Sequence, residues 1–296
     1  MNASGIEWTD YTWNPAVGCT ERCGATPEHP EGWCYARRMA RRFKPGLRTN
    51  VLGITERYGC QECYDFTPHL HAERLEQPQA VRSPRIVFCG SMGDLFDPHV
   101  EPEWRARVWA AMNDAWWHHY VGLTKRPDLI DPKQLWHETY FIGDSDHGPG
   151  ALWLGVSVTC DDDWWRVERL VEIWDDCPHH LLVSVEPLLG PITHAVPGRI
   201  GWVIVGAQSG PGAVAPDDQW VSSLNRQTHD AGIPLFEKDN IKEAIGGAPL
   251  AQYWPEAMIM ETGGVVARER LSAPAAHPPL RAAGAQRQRP DGAHAR

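Results

Sequence analysis

The chain has 296 residues, of which 42% are hydrophobic and 22% charged, and this composition excludes a disordered and a membrane-embedded protein. Its net charge of -10 argues against indiscriminate nucleic-acid binding, because an acidic surface repels phosphate. No apolar run approaches the roughly 18 residues of a membrane span, and residues 1–7 lack the regions of a signal peptide. We therefore expect a cytoplasmic protein with no membrane partner.

Three cysteines near the amino end, Cys19, Cys23 and Cys34, are the most informative feature of the sequence. Five of the eight cysteines fall between Cys19 and Cys63, which indicates metal or cluster ligation rather than a disulfide framework. A [4Fe-4S] cluster held by three thiolates leaves one iron without a protein ligand, where a small molecule can bind and be reduced. We predict Cys19, Cys23 and Cys34 as the ligands of such a cluster.

A basic segment follows these cysteines, with six basic residues and no acidic one between Arg37 and Arg48. It is either a phosphate-facing patch or the solvated face of a helix.

A second cysteine pair, Cys60 and Cys63, lies close to His69 and His71. Two thiolates and two imidazoles would satisfy the tetrahedral coordination of zinc, although the close spacing of the histidines is unfavourable on one short loop. Alternatively, one of these thiols replaces Cys23 as a cluster ligand or relays electrons, or the pair is incidental.

Six apolar runs rich in β-branched residues predict strands, and helix-like segments lie between them. The predicted strands are Arg85–Cys89, Tyr120–Thr124, Leu152–Val156, Leu181–Val185, Trp202–Gly206 and Ile233–Phe236, and the predicted helices are Glu101–Trp117, Asp161–Trp174 and Pro216–Ala231. Repeated alternation of this kind predicts an α/β fold, either a (β/α) barrel or a doubly wound sheet. We favour a TIM-like barrel, partial or complete.

Polar side chains gather where the predicted strands end, and in a barrel these ends converge on one mouth. They are Ser91, Asp94, Thr124, Lys125, Ser157, Glu186, Gln208, Ser209, Glu237 and Lys238. Lys125 and Lys238 would attract a carboxylate or phosphate there, or form ion pairs with a neighbour such as Glu186 or Glu237.

Two segments lack a strand or helix pattern. Residues 131–150 are polar and glycine-containing, which predicts a long loop or lid. Residues 273–296 have no aromatic residue and a single leucine, so they cannot bury enough apolar surface to become ordered. We divide the chain into a barrel domain over residues 1–255 and a largely disordered extension over residues 256–296.

Several blocks, in order along the chain, resemble a phage-associated family of unknown function whose members look like radical S-adenosylmethionine (radical SAM) proteins. They include Ile6–Pro15, Cys34–Ala36, Leu70–Pro78, Ser91–Phe96, Leu123–Pro127, Val185–Gly190, Ile204–Gly210 and Phe236–Asn240. The resemblance covers roughly residues 6 to 240. One departure is the ten residues between Cys23 and Cys34, where radical SAM proteins generally have two.

The resemblance implies an iron-sulfur enzyme that cleaves S-adenosylmethionine to a 5'-deoxyadenosyl radical, with an electron donor protein as partner. By analogy, Ser91 and Asp94 would bind the methionine amino group, Ser157 and Glu186 the ribose, and Gln208 would line the same cofactor site. Lys125, Glu186 and Lys238 are the catalytic candidates. The substrate expected from the basic segment is a nucleic acid or a nucleotide. The alternatives are a non-catalytic zinc- or Fe-S-binding interaction protein on a barrel scaffold, and an electron carrier.

Overall fold

A computed structural model describes residues 1–24, 32, 34–49, 55–139, 150–174, 180–210 and 212–261. The strands of this part are β1 (Asn2–Ala3), β2 (Tyr11–Trp13), β3 (Ala16–Val17), β4 (Gly46–Thr49), β5 (Thr55–Tyr58), β6 (His69–Leu70), β7 (Ile86–Cys89), β8 (His119–Thr124), β9 (Ala151–Val158), β10 (His180–Val185), β11 (Ile200–Val205) and β12 (Leu235–Glu237). Its α-helices are α1 (Tyr35–Ala40), α2 (Gln61–Asp65), α3 (Pro102–Asp114), α4 (Pro132–Thr139), α5 (Trp165–Trp174), α6 (Asp218–Ala231) and α7 (Glu256–Glu261).

One sheet of eight strands organises the fold, in the order β1-β2-β7-β8-β9-β10-β11-β12. All neighbours from β2 to β12 are parallel, and only the pair β1 and β2 is antiparallel. Two short ribbons, β3 with β6 and β4 with β5, lie in the segment between β2 and β7. Because the strands from β2 to β12 are parallel, all their carboxyl ends lie along one edge of the sheet.

The α/β class and all six predicted strands are confirmed. Helix α6 illustrates why the sequence was informative, since Asp217 caps its first turn through the amide of Gln219 at 2.8 Å, and Gly232 ends it with a φ of 68°. The other two predicted helices correspond to α3 and to α5, which a short 3-10 turn over Asp161–Asp163 precedes.

The predicted loop over residues 131–150 is wrong at its start, where the chain forms α4. Asp131 accepts hydrogen bonds from the amides of Lys133 at 3.0 Å and Gln134 at 3.1 Å, and Leu135 is buried against the core. The polar composition concealed an N-terminal cap followed by a single buried face. Residues 140–149 lie outside the described part of the chain.

The sheet is buried on both faces, and because successive side chains along a strand point to opposite sides, neighbouring residues pack in different clusters. In β9, Leu152 and Leu154 pack in the larger core with the helices, whereas Trp153 belongs to a second cluster on the other face. We call this second cluster the inner cluster. Its large side chains are Trp8, Ile86, Trp153, Leu182, Trp202, Ile204, Phe236, Trp254 and Met258. Aromatic rings from both ends of the sheet therefore share one cluster.

Side chains close to the first parallel strand touch those close to the last. The indole of Trp254 donates to the carbonyl of Trp8 at 3.2 Å, and Glu7 lies 3.7 Å from the ammonium of Lys238. Within the described residues, β1 and β12 do not pair with each other. The sheet is thus linked across its ends by side chains rather than by a strand ladder.

The predicted extension begins with α7, whose Met258 is 1% exposed in the inner cluster. Residues 262–296, including the segment predicted to be disordered, lie outside the described residues, and the division at residue 255 stays a prediction. No helix in the described ranges is long and apolar enough to cross a membrane.

Replacing Trp202 by alanine should lower the free energy of unfolding by about 3 to 5 kcal/mol, as for other buried large-to-small changes. Its indole is fully buried, contacts Trp8 at 5.8 Å between ring centroids, and donates to the carbonyl of Tyr253 at 2.9 Å. Urea denaturation followed by circular dichroism measures the change. Trp165→Ala is the matched control, because that side chain is 44% exposed and its loss should be nearly neutral. Equal losses for both variants would contradict the inner cluster.

Candidate functional site

The loop that carries Cys19 follows β3 and is attached on several sides. The amide of Gly18 donates to the carbonyl of Met92 at 2.9 Å, and the amide of Cys19 donates to the carbonyl of Phe66 at 3.3 Å. Gly18 has a φ of 94°, and a Cβ atom there would overlap the carbonyl of Thr67. Only glycine satisfies both the backbone conformation and the close approach.

Asp97 attaches the other side of this loop. Its carboxylate accepts from the amide of Thr20 at 2.6 Å, from the hydroxyl of Thr20 at 2.7 Å, and from the amide of His99 at 2.9 Å. Burial favours the neutral acid, but these hydrogen bonds outweigh burial and hold the pKa of Asp97 below its ordinary value. The charged carboxylate of Asp97 therefore fixes the loop of Cys19.

The three predicted cluster ligands lie close to one another, together with Lys125. The side chains of Cys23 and Cys34 interact as a hydrogen-bonding pair, and Cys19 and Lys125 lie near enough to influence the pKa of Cys23. This hydrogen bond lowers the pKa of Cys34 to about 6, against the effect of burial, while burial and the charge of Asp94 raise the pKa of Cys19 to about 12. The residues between Cys23 and Cys34 do not keep these thiols apart.

Cys34 also begins α1, and its sulfur accepts from the amide of Arg37 at 3.5 Å. Arg37 then turns back and donates to the carbonyl of Cys19 at 3.0 Å. The next residue, Arg38, donates to the carbonyl of Ser209 at 3.0 Å, which links α1 to the loop after β11. Helix α1 therefore connects Cys19 and Cys34 to the loop after β11.

Ser91 and Asp94, the predicted ligands of the methionine amino group, form hydrogen bonds with other residues of the protein. Asp94 is buried and accepts from the amide of Phe96, the hydroxyl of Thr124 and the amide of Lys125, at 2.9, 3.0 and 3.0 Å. Burial raises its pKa despite these bonds. The hydroxyl of Ser91 lies 3.0 Å from the amide nitrogen of Asn14. Asp94 thus connects the ends of β7 and β8, and its contact with a cofactor stays a prediction.

Glu186 and Lys238 form an ion pair of 2.8 Å after β10 and β12. Burial disfavours the ammonium, but the carboxylates of Glu186 and Glu7 outweigh it and raise the pKa of Lys238. A Cβ atom on Gly206 would lie only 2.8 Å from the carboxylate of Glu186, so a larger residue there would require that carboxylate to shift. Of the alternatives drawn from the sequence for Lys238, the ion pair with Glu186 is confirmed.

Ser157, near the end of β9, and Gln208, after β11, lie at the same edge of the sheet. Ser157 is buried and stands in register with Ser184 of β10. The side chain of Gln208 accepts from the amide of Val214 at 3.0 Å. Their predicted contacts with S-adenosylmethionine stay predictions.

Cys60, Cys63, His69 and His71 form a compact group in which one ligand atom of each residue lies within 4.8 Å of all the others. The Nε2 atom of His69 lies 3.4 Å from both sulfurs and 2.9 Å from Nε2 of His71, and the latter lies 3.1 Å from the sulfur of Cys63. This group could hold a metal ion such as zinc. The close spacing of the histidines, unfavourable on a loop, is suitable here because His69 lies in the short strand β6 and His71 directly follows that strand.

Sequence reasoning missed Asp97, Asn14 and Arg37 as parts of the site. Asn14 accepts from the amide of Met92 at 2.8 Å, and Arg74 donates to the carbonyl of Asn14 at 2.9 Å. Asn14 lies within the block Ile6–Pro15 and Asp97 directly follows the block Ser91–Phe96, but nothing in the sequence shows which loop each side chain contacts. Arg37 was interpreted only as part of a basic segment.

The family described as "Protein of unknown function (DUF5131)" matches the chain over residues 3–245, so the protein belongs to this family. No curated protein and no solved structure matches it. Membership of an uncharacterised family is therefore confirmed. Radical SAM character and the phage association stay predictions.

Replacing Asp97 by alanine should lower the free energy of unfolding by about 1 to 3 kcal/mol, because the amide of Thr20 loses its partner. It should also speed the alkylation of Cys19 in the metal-free, reduced protein, measured by mass spectrometry of the labelled peptide. Asp161→Ala is the control, since Asp161 makes the same two contacts with Thr193, at 2.8 and 2.7 Å, at an exposed position. Unchanged labelling of Cys19 in the Asp97 variant would contradict the attachment of its loop.

Proposed function

We propose that the protein is a redox enzyme of the radical SAM type, whose [4Fe-4S] cluster is held by Cys19, Cys23 and Cys34. The observation that carries the proposal is the mutual approach of these thiols beside Lys125. Cysteine thiolates are the usual ligands of such clusters, so the donor set fits. Three of them leave one iron for a cofactor.

When bound, the cluster and S-adenosylmethionine would supply one-electron reduction and a carbon-centred radical. The chain's own residues would position and shield these groups. The ammonium of Lys125 favours the thiolate forms of Cys23 and Cys34, although the hydrogen bond with Cys34 and burial raise the pKa of Cys23 overall. Asp97 and Gly18 fix the loop of Cys19, and the Lys238 to Glu186 pair offers a cation and a carboxylate on the other side of the edge.

A partial barrel is the architecture that we propose around this site. It is supported by the contacts of Trp254 with Trp8 and of Lys238 with Glu7, which join flanks of the first and last parallel strands. Arg38 adds a link from α1 to the loop after β11. In such an arrangement the strand ends that carry Lys125, Glu186 and Lys238 would face a common mouth.

The substrate that we propose is a nucleic acid or a nucleotide. It is supported by a surface patch next to α1, formed by Arg42, Phe43, Lys44 and Leu47, all exposed. Phe43 is 67% exposed and Leu47 is 70% exposed, which is unusual for large apolar side chains. Exposed aromatic rings between basic residues are suited to stacking on bases beside a phosphate backbone. Arg37 and Arg38 do not belong to this patch, because both bond to backbone carbonyls.

A second candidate function is a zinc-binding interaction protein on a catalytically inactive scaffold. The compact Cys60, Cys63, His69 and His71 group favours it. The two candidates differ in which cysteines hold metal and in whether a cofactor is cleaved.

Anaerobic reconstitution with iron and sulfide should yield brown protein with about four irons per chain. Cys34→Ser should lose this iron, whereas Cys160→Ser should keep it, because Cys160 lies in the loop after β9. Dithionite and S-adenosylmethionine should then release 5'-deoxyadenosine. Zinc without iron would favour the second candidate, and bound iron without cofactor cleavage would indicate an electron carrier.

The substrate proposal has a separate test in single-stranded oligonucleotide binding by fluorescence anisotropy. Phe43→Ala should weaken binding by about 1 to 3 kcal/mol if the ring stacks on a base, and added salt should weaken it further. Leu129→Ala is the control, because Leu129 is 43% exposed and lies outside the patch. Equal effects of both substitutions, or no binding at low salt, would contradict a nucleic-acid substrate.

A further inference from the structure

We propose that Cys60, Cys63, His69 and His71 form a structural zinc site that fixes the loop carrying Cys19. This inference goes beyond the proposed function and does not depend on it, since none of the four residues is a predicted cluster ligand in that proposal. A zinc site would be present whether or not the protein binds iron.

Four of the separations between the ligand atoms are close to those around one zinc ion. With bonds of about 2.3 Å to sulfur and about 2.05 Å to nitrogen, a tetrahedral zinc separates sulfur from nitrogen by roughly 3.5 Å and nitrogen from nitrogen by roughly 3.3 Å. The corresponding separations here are 3.4, 3.4 and 3.1 Å for sulfur to nitrogen, and 2.9 Å between the nitrogens. A small contraction around a common centre explains all four values.

The orientation of the two imidazoles independently indicates a cation. Nδ1 of His69 lies 2.8 Å from the carbonyl of Thr67, and Nδ1 of His71 lies 2.8 Å from the carboxylate of Glu73. Both partners can only accept, so each Nδ1 carries the hydrogen and each neutral ring has a lone pair on Nε2. Two lone pairs facing each other at 2.9 Å repel, and a metal ion between them turns this repulsion into coordination.

The same contacts supply the outer hydrogen bonds that metal-binding histidines usually make. The contact of Glu73 with His71 is a carboxylate-histidine pair of the kind that orients zinc ligands. The carbonyl of Thr67 does the same for His69. Both rings therefore present Nε2 to the centre in a fixed orientation.

The local fold explains how the two thiols reach the same point. Cys60 caps α2, and its sulfur accepts from the amide of Cys63 at 3.4 Å. Phe66 ends this short helix in the left-handed conformation with a φ of 60°, and the chain then returns as β6 with the two histidines. Four protein ligands complete a tetrahedron, so the site has no open position for a substrate and is structural.

The zinc segment is bonded directly to the loop of Cys19. In the ribbon of β3 and β6, Val17 pairs with His69, and the amide of His71 donates to the carbonyl of Pro15 at 2.7 Å. The carbonyl of Phe66 accepts from the amide of Cys19 at 3.3 Å. Loss of the metal would free this segment and with it one attachment of the loop.

Metal analysis of the aerobically purified full chain should find about one zinc per chain. Cys63→Ser should lose this zinc, and Cys34→Ser should keep it. Replacement of zinc by Co²⁺ should give the intense visible bands of a tetrahedral ion with thiolate ligands. Retention of zinc in Cys63→Ser, or its loss in Cys34→Ser, would overturn the assignment. Either result counts whether or not the protein binds iron.

Glu73→Gln tests the site without removing a ligand and without risk to folding, because the side chain of Glu73 is 70% exposed. It should weaken zinc binding by about 10 to 100-fold in a competition with a chromogenic chelator. Glu103→Gln, at an exposed position in α3, should leave the affinity unchanged. Equal affinities for the two variants would contradict the orienting role of Glu73.

The link to the loop is tested by hydrogen exchange of the amide of Cys19 before and after zinc is removed by a chelator. Exchange at Cys19 should accelerate at least tenfold, while the amide of Asp161, which donates to Pro191 in a different loop, should not change. Unchanged exchange at Cys19 in the zinc-free protein would overturn the loop-fixing role.

Discussion

The Gly18 to Thr20 loop is the constraint on which the site depends, because it must be held from three directions at once. Met92 binds it from the end of β7, Phe66 from the segment after α2, and Asp97 from the loop beyond β7. Each contact needs a backbone that approaches closely, which is why Gly18 adopts a conformation that a side chain would prevent. The position of Cys19 relative to Cys23 and Cys34 follows from these attachments.

Charge is distributed unevenly along the carboxyl edge of the sheet. Asp94 and Asp97 lie on the side of the thiols and both accept hydrogen bonds from loop amides, but these bonds outweigh burial only at Asp97, whereas burial raises the pKa of Asp94. Lys238 lies at the other end and is held by two carboxylates. Because Lys125 acts on the thiols and Lys238 is already paired, the two lysines that look equivalent in the sequence have different neighbours and different capacities to bind an anion.

Regular elements were predictable where a single periodic pattern decided the structure. Strands such as β9 and β10 are continuous apolar runs, and α6 has a cap at each end, so local signals and burial agree. The prediction failed where the pattern was mixed, as in α4, and the sequence predicted no strand in the ribbons before β7. Two-residue strands such as β3 and β6 exist only through their pairing with each other, which no local composition reveals.

The residue types of the site could be read from the chain, since thiols, imidazoles and strand-end polar groups are identifiable by spacing alone. Which of them meet could not. Cys23 and Cys34 are separated by ten residues yet share a hydrogen bond, and His69 and His71 converge with the α2 cysteines through a turn at Phe66. Local pattern specifies elements because its interactions are near in sequence, whereas ligand sets and ion pairs join distant segments and exist only after the chain has folded.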